Sequence, residues 1–470
     1  MNAPFFYADV HCHPNLKTFG HSFAKKHTAR SSMWHTVPAS YYRKMVHRLT
    51  GITKFSQTDF TTMAHAGGRV AFMSLYPFEK GFFTHKRLWP PLAARLADWG
   101  IEIGYNRIRY LQQHTDYFAD LQAEYRFVQE SAGEKKVNGQ AFRWQLTRNW
   151  ADVAHTVAQQ NTIAVVLTIE GAHVFNSGLQ EYGVPVSEEA ILANVAAVKQ
   201  WEHVPLFIGL THNFNNDLCG HARSLQRLGK LVNQEHNLGA GILPAGKKVI
   251  QALLDAGNSR PIYIDLKHMS LAARMQYYAL LEEEYATRRI PLIASHASVT
   301  GRCLSGARSV IQGPDIFNTS DLNFFDEEIV RIAQSGGIIG LQMDLAVHTD
   351  VKKIKQYWQQ IQPATAIQKS AQVIWKQLQH VAAVCDRNGL SGWDCCAVGS
   401  DFDGSIYPLP GVLTAAGLES LAKELVPLAN GFLAGNYLQM PQNRRLIGEE
   451  IVSRFMYGNT IRFLQEFYPR

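Results

Sequence analysis

The stretch Tyr7-Ala8-Asp9-Val10-His11-Cys12-His13 decides how the rest of the chain is read. A short apolar run ends in two histidines separated by one residue. Side chains alternate across a strand, so His11 and His13 share a face while Cys12 turns away. Two imidazoles on one face at a strand end suit a transition metal such as zinc. The same spacing also occurs on solvated loops, so the reading needs support from elsewhere in the chain.

Support comes from runs of the same kind. Apolar, β-branched-rich stretches bounded by Gly, Pro or Asn read as buried strands at Phe5–Val10, Arg69–Leu75, Ile163–Ile169, Leu206–Leu210, Pro261–Leu266, Pro291–Ser295, Gly337–Met343 and Cys396–Gly399. Between them, Ser187–Trp201, Gly246–Ala256, Leu271–Tyr285, Asp326–Gln334 and Ala366–Cys385 carry apolar residues at helical intervals. Ser187 suits an N-cap, although Ala190 stands where a capping box needs Glu or Gln. Eight strands alternating with helices predict an α/β fold, a closed (β/α)8 TIM barrel with long insertions after strands 1, 2 and 7. One domain over residues 1–470 is expected. It comprises a basic loop at 14–58, a helical insertion at 77–161 (Leu88–Trp99 and Arg107–Gln129, with a polar break at Ser131–Gly139), a helical connection at 346–394 and a helical tail at 405–470.

The bulk numbers agree. The 470 residues are 46% hydrophobic and 18% charged, an ordinary packed globule. No run approaches the ~18 apolar residues that cross a bilayer. With Met1 as the start, no leader peptide fits before His11, so a cytoplasmic protein is expected. The six cysteines (Cys12, Cys219, Cys303, Cys385, Cys395, Cys396) form no CxxC pair and read as reduced, mostly buried thiols. The net charge of +7 is concentrated. Between Val10 and Thr58 there is no Asp or Glu, while Lys17, Lys25, Lys26, Arg30, Arg43, Lys44, Arg48 and Lys54 contribute eight positive charges. A solvated cationic loop is the simplest reading. Steering of anionic substrates or a nucleic-acid surface are sharper ones, and no nucleic-acid motif accompanies the stretch.

Barrel enzymes place their chemistry at the carboxyl ends of the strands. Here six of eight strand ends carry a residue able to bind metal or move a proton: His11-Cys12-His13, Glu170-Gly171, Thr211-His212-Asn213, Lys267-His268-Met269, Ser295-His296-Ala297 and Ser400-Asp401-Phe402-Asp403-Gly404. A single buried histidine is usually structural. Several imidazoles and a carboxylate converging on one rim are costly without a cation.

In order and context, Ile169-Glu170-Gly171, Thr211-His212-Asn213, Asp265-Leu266-Lys267-His268, Ser295-His296-Ala297-Ser298 and Gly399-Ser400-Asp401-Phe402-Asp403-Gly404 resemble the membrane (renal) dipeptidase family of the amidohydrolase superfamily. Gln57-Thr58-Asp59 leading to Gly67-Gly68, Ser335-Gly336-Gly337 and Gly458-Asn459 are similar too, so the resemblance spans nearly the whole chain. It implies a zinc-dependent dipeptidase with two zinc ions in the barrel mouth. Glu170 would bridge both ions, with His11 and His13 on one and His268 and His296 on the other. Asp401 would be the catalytic acid/base and His212 the donor to the oxyanion. An arginine, Arg308 or alternatively Arg302, would grip the carboxylate of a dipeptide or similar small molecule. No nucleic-acid partner and no membrane span are implied, and a homodimer is compatible with the resemblance.

One departure stands out. The family usually has His-x-Asp on its first strand, where this chain has His11-x-His13, so the ligand set loses a negative charge. Two rival readings follow: another amidohydrolase reaction on an N-acyl amino acid, lactone or cyclic amide, or a non-catalytic barrel that binds partners through its basic loop. Asp403 reads as a turn or cap residue, and His173, His221, His348 and His380 as surface or packing histidines. Lys267, a conceivable carbamylated ligand, neighbours His268 and should face the other way.

Overall fold

The computed structural model describes residues 5–26, 28–83, 89–225, 232–257, 259–307, 317–349 and 362–468. All eight expected strands form, within a few residues of their expected bounds. They are β1 (Tyr7–Cys12), β2 (Gly68–Leu75), β5 (Thr162–Ile169), β6 (Phe207–Gly209), β7 (Tyr263–Asp265), β8 (Ile293–Ala297), β9 (Ile338–Leu341) and β10 (Cys396–Val398). The sheet runs β2-β1-β10-β9-β8-β7-β6-β5, and β2 also pairs with β5, which closes a (β/α)8 barrel. Every residue of β1 and β5 is buried. A parallel strand covered on both faces reads as a continuous apolar run, which is why these segments were visible without alternation.

Contacts group the chain into two compact units. The first holds residues 1–12, 38–71 and 291–470, the second 13–37 and 72–290. In the first, β1, β10, β9 and β8 lie side by side in parallel, with Asp9 opposite Val398, Val398 opposite Leu341 and Ile293 opposite Ile338. In the second, Ile169 of β5 pairs with Ile208 of β6, and Gly209 with Asp265 of β7.

The insertions depart from expectation in detail. Residues 77–161 are not helical throughout. Three helices (Pro90–Ile101, Tyr105–Gln113, Tyr117–Ser131) are followed by a hairpin of β3 (Gly133–Val137) and β4 (Gln140–Leu146), and β4 extends the sheet alongside β5. The polar break contains the reason. Asn138-Gly139, both at positive φ (51° and 83°), is a favoured two-residue hairpin turn, and the alternating Phe142 and Trp144 are buried beyond it. The helix expected over Arg107–Gln129 breaks because Asp116 starts a second one, accepting from the Ala119 amide. The basic loop is partly helical too, at Leu16–Ser22 and Tyr41–Thr50. Ser187 caps its helix as expected, accepting from Ala190 N. Part of the third insertion, 350–361, lies outside the described residues, and a helix at Ala366–Arg387 follows it. The tail is helical at Leu418–Ala434, Gly448–Ser453 and Asn459–Phe467. Among the described residues no helix is long and apolar enough to cross a membrane.

Candidate active site

In the second unit, the site is built around Glu170, the first residue beyond β5. His13 Nε2 lies 3.3 Å from its Oε2, while His212 Nε2 and His268 Nε2 lie 3.4 and 3.6 Å from its Oε1. One ligand atom each from Glu170, His212 and His268 fall within 4.8 Å of one another, and all three residues are buried. Gly171 makes room for this. It sits at φ 92°, and a Cβ there would lie 2.4 Å from the His173 ring and 3.2 Å from His212 Cβ. His268 also takes a left-handed backbone, at φ 66°. For a non-glycine this costs on the order of 1–3 kcal/mol, which the surrounding packing must hold. Burial pushes the His268 imidazole down to about 3, with the neighbouring His212 adding to the effect, so at neutral pH it is an uncharged ring with a lone pair to offer.

The first unit holds a different group. The His11 and His296 rings lie 3.9 Å apart at 31°. The Ser295 hydroxyl is 3.2 Å from His11 Nδ1 and 2.8 Å from His296 Nδ1, which fixes both rings by the same edge. Asp401 Oδ1 lies 3.9 Å from His11 Nε2, and its Oδ2 accepts from the Gln342 amide at 2.6 Å. Asp401 is at φ 57°, with its amide donating to the His11 carbonyl. A Cβ at Gly404 would fall 1.9 Å from Asp401 Oδ1, so the glycine that closes this loop is required by the carboxylate.

The remaining sequence candidates fall as follows. Arg308 lies outside the described residues. Arg302 is half-buried and donates to the Gly306 carbonyl at 3.0 Å. Cys12 and Lys267 are buried, and neither joins a metal-capable group among the described residues. Asp403 is structural, its Oδ2 accepting from the amides of Gln57 and Thr58 at 2.9 and 3.0 Å. His173, His221, His348 and His380 are all buried packing residues, bonded to the Pro77, Gln234 and Gln342 carbonyls and to Asp326 respectively. None of the six cysteines is in a disulfide among the described residues, and all but Cys303 are buried.

The sequence reading left two strands without chemistry, β2 and β9, and the structure gives each one a role. Glu79, four residues beyond β2, accepts from His212 Nδ1 at 2.8 Å and from the Phe214 amide at 2.9 Å. Burial alone would raise the Glu79 carboxyl, but the His212 charge and hydrogen bond outweigh it and hold the group down at about 2. Gln342, next after β9, donates to Asp401 Oδ2 at 2.6 Å. Strand-end position was the available signal for both. Asp9 was also missed, although period-2 alternation puts it on the face of His11. Its Oδ1 accepts from the amides of Ser400 and His11, and burial nonetheless pushes it up to about 7.

A family model described as membrane dipeptidase (peptidase family M19) matches residues 53–466. The chain belongs to that family. It is therefore a metal-dependent peptide hydrolase, a dipeptidase with small-molecule substrates. Solved structures similar to this dipeptidase include a dipeptidase AC of peptidase family M19, 15% identical over 91% of this chain and 95% of that one, with a TM-score of 0.51. A second is a metallopeptidase from Rhodobacter sphaeroides liganded with a phosphinate mimic of L-Ala-D-Ala, 14% identical over 99% and 100%, with a TM-score of 0.52. A third is the probable dipeptidase PvdM from Pseudomonas aeruginosa, 15% identical over 98% and 94%, with a TM-score of 0.51. At these identities the likeness establishes the shared fold. No curated protein sequence matches the chain.

Proposed function

We propose that this dipeptidase binds two zinc ions, which Glu170, His13 and His268 of the second unit and His11 and His296 of the first would hold. The observation that carries the proposal is the ring of imidazoles at 3.3 to 3.6 Å around one buried carboxylate. Imidazole nitrogens with a carboxylate oxygen form a borderline donor set that suits zinc, and burying them without a cation is costly. When bound, the metal supplies Lewis acidity toward the scissile carbonyl and acidity to the attacking water.

The chain's own residues supply the remaining steps. Asp401, oriented by Gln342, takes the proton of the attacking water and passes it to the leaving amine. Glu79 accepts from His212 Nδ1, which turns Nε2 inward and favours a charged imidazolium that donates to the developing oxyanion. Such donors are typically worth ~2.7–4 kcal/mol. His212 also stands among the metal-capable residues, so the Glu79 contact suits either use of Nε2. Arg308 grips the substrate carboxylate as a bidentate partner. Replacing it with Ala should raise KM for dipeptides about tenfold or more, leave kcat nearly intact and leave dipeptide amides unaffected. The same outcome from Arg302→Ala, with none from Arg308→Ala, would reassign the role. The phosphinate bound to the Rhodobacter relative mimics L-Ala-D-Ala. We extend to this chain an acceptance of D-residues at the C-terminal position, which paired L,L- and L,D-dipeptides test directly.

A further inference from the structure

Past His13, the cationic stretch that runs to Thr58 contributes no residue to the chemistry above, and its helix Tyr41–Thr50 has an unusual surface. Ser40 caps it, accepting from the Arg43 amide, and Gly51 ends it at φ 76°. Of its ten residues only His47 is buried, seated 3.3 Å from Thr53 Oγ1 and against the Tyr407 ring at 4.9 Å. Tyr41 is 85% exposed, Leu49 75%, Tyr42 68% and Met45 41%. Successive helical residues turn by about 100°, so Tyr41, Met45, Leu49 and Tyr42 occupy one arc about 100° wide, centred about 180° from His47. The apolar face therefore points straight away from the body that His47 anchors. Lys44 and Arg48, both exposed, follow one another along the rim of that arc. Arg43 lies half-buried beyond them.

We propose that this helix docks the enzyme on the surface of an anionic lipid bilayer. It would lie in the plane of the interface, with Met45 and Leu49 entering the acyl boundary and Tyr41 and Tyr42 at headgroup depth. Lys44 and Arg48 would meet the headgroups. An apolar arc of aromatic and aliphatic residues rimmed by cations is the pattern of an interfacial helix. Charge complementarity selects the occupant. The helix carries Arg43, Lys44 and Arg48 and no acid, and no acid occurs anywhere from residue 11 to 58. A second copy of this face would set three cations against three, which disfavours a symmetric pairing through it. A nucleic acid would satisfy the cations but leave Met45 and Leu49 in water.

The test is flotation of the full-length protein with phosphatidylcholine vesicles, with and without phosphatidylserine. The wild-type protein is expected to float with the anionic vesicles, less so as salt rises, and not with the neutral ones. Tyr41→Ser combined with Leu49→Ser, and separately Lys44→Glu combined with Arg48→Glu, should each weaken binding tenfold or more. Dipeptide turnover should be unchanged in both, which shows that the variants fold. Absence of flotation, equal binding to neutral vesicles, or insensitivity to either pair would overturn the proposal. So would a self-association, seen by light scattering, that the Tyr41/Leu49 pair abolishes, or binding to a DNA or RNA oligonucleotide that displaces the vesicles.

Discussion

Glu170 and Asp401 are both buried carboxylates at strand ends, and their surroundings differ in kind. Glu170 has three imidazole nitrogens within 3.6 Å, arriving from beyond β1, β6 and β7. Asp401 has the His11 imidazole nitrogen at 3.9 Å and the Gln342 side-chain amide at 2.6 Å on its other oxygen. Imidazoles that share a buried carboxylate favour a cation among them, which is why we propose Glu170 as a ligand. An amide that fixes one oxygen leaves the carboxylate's proton chemistry intact, which is why we propose Asp401 as the acid/base. In that proposal the same functional group acquires two roles from its neighbours, and each neighbour named comes from the same compact unit as the carboxylate it serves.

Asp401→Asn breaks the comparison most sharply. It keeps the hydrogen-bonding shape but removes the base, so kcat should fall by roughly 10²–10⁴-fold with metal content unchanged. Single-turnover assays on the metal-loaded enzyme would measure it. Glu79→Gln tests whether support of His212 matters. It removes the charge beside His212 Nδ1 and should cost about 10–100-fold in activity, with the loss concentrated in kcat. Gln342→Leu leaves Asp401 in place but frees its orientation, and a fall in kcat of about tenfold with KM little changed is expected.

Glu124 is the control, a buried carboxylate with no imidazole partner among the described residues. It accepts from Asn15 Nδ2 and the Tyr76 amide, and lies near the Arg107–Asp120 ion pair. Burial, reinforced by the Asp120 charge, pushes it up from its ordinary 4.5 to about 7 against the pull of Arg107 and its donors. A carboxyl raised in the folded state contributes most below its unfolded value, and that contribution is lost as pH rises through the folded one. Glu124→Gln should therefore gain stability relative to wild type between about pH 4.5 and 7, by at most roughly 3 kcal/mol, and level off above. Chemical denaturation across that range reads it. Turnover at pH 8 should be unaffected.

The barrel was legible because its strands are covered on both faces and so read as unbroken apolar runs, β5 most clearly. The histidines and carboxylates at their ends were legible because strand ends are where a barrel puts chemistry. What escaped were residues defined by their partners. Glu79 lies four residues past the end of its strand, further than the strand-end residues that carried the reading, and only folding brings it to His212, 133 residues away. Gln342 belongs to an uncharged residue type that no metal or proton argument selects. The β3–β4 hairpin escaped for a different reason. Its Asn138-Gly139 turn was in view, but the polar residues around it, Glu134 to Lys136 on one strand and Arg143 on the other, hid the alternation. Helix Tyr41–Thr50 was masked by its own charge, since a run of cations reads first as a solvated loop.

The measurement closest to the central claim is metal content, by plasma mass spectrometry, of purified wild-type protein, Glu170→Gln and Asp401→Asn. The expected result is bound zinc in the wild type, retained in full by Asp401→Asn and largely lost from Glu170→Gln. Undiminished metal in Glu170→Gln, or equal loss from both variants, would contradict the division of roles between the two carboxylates.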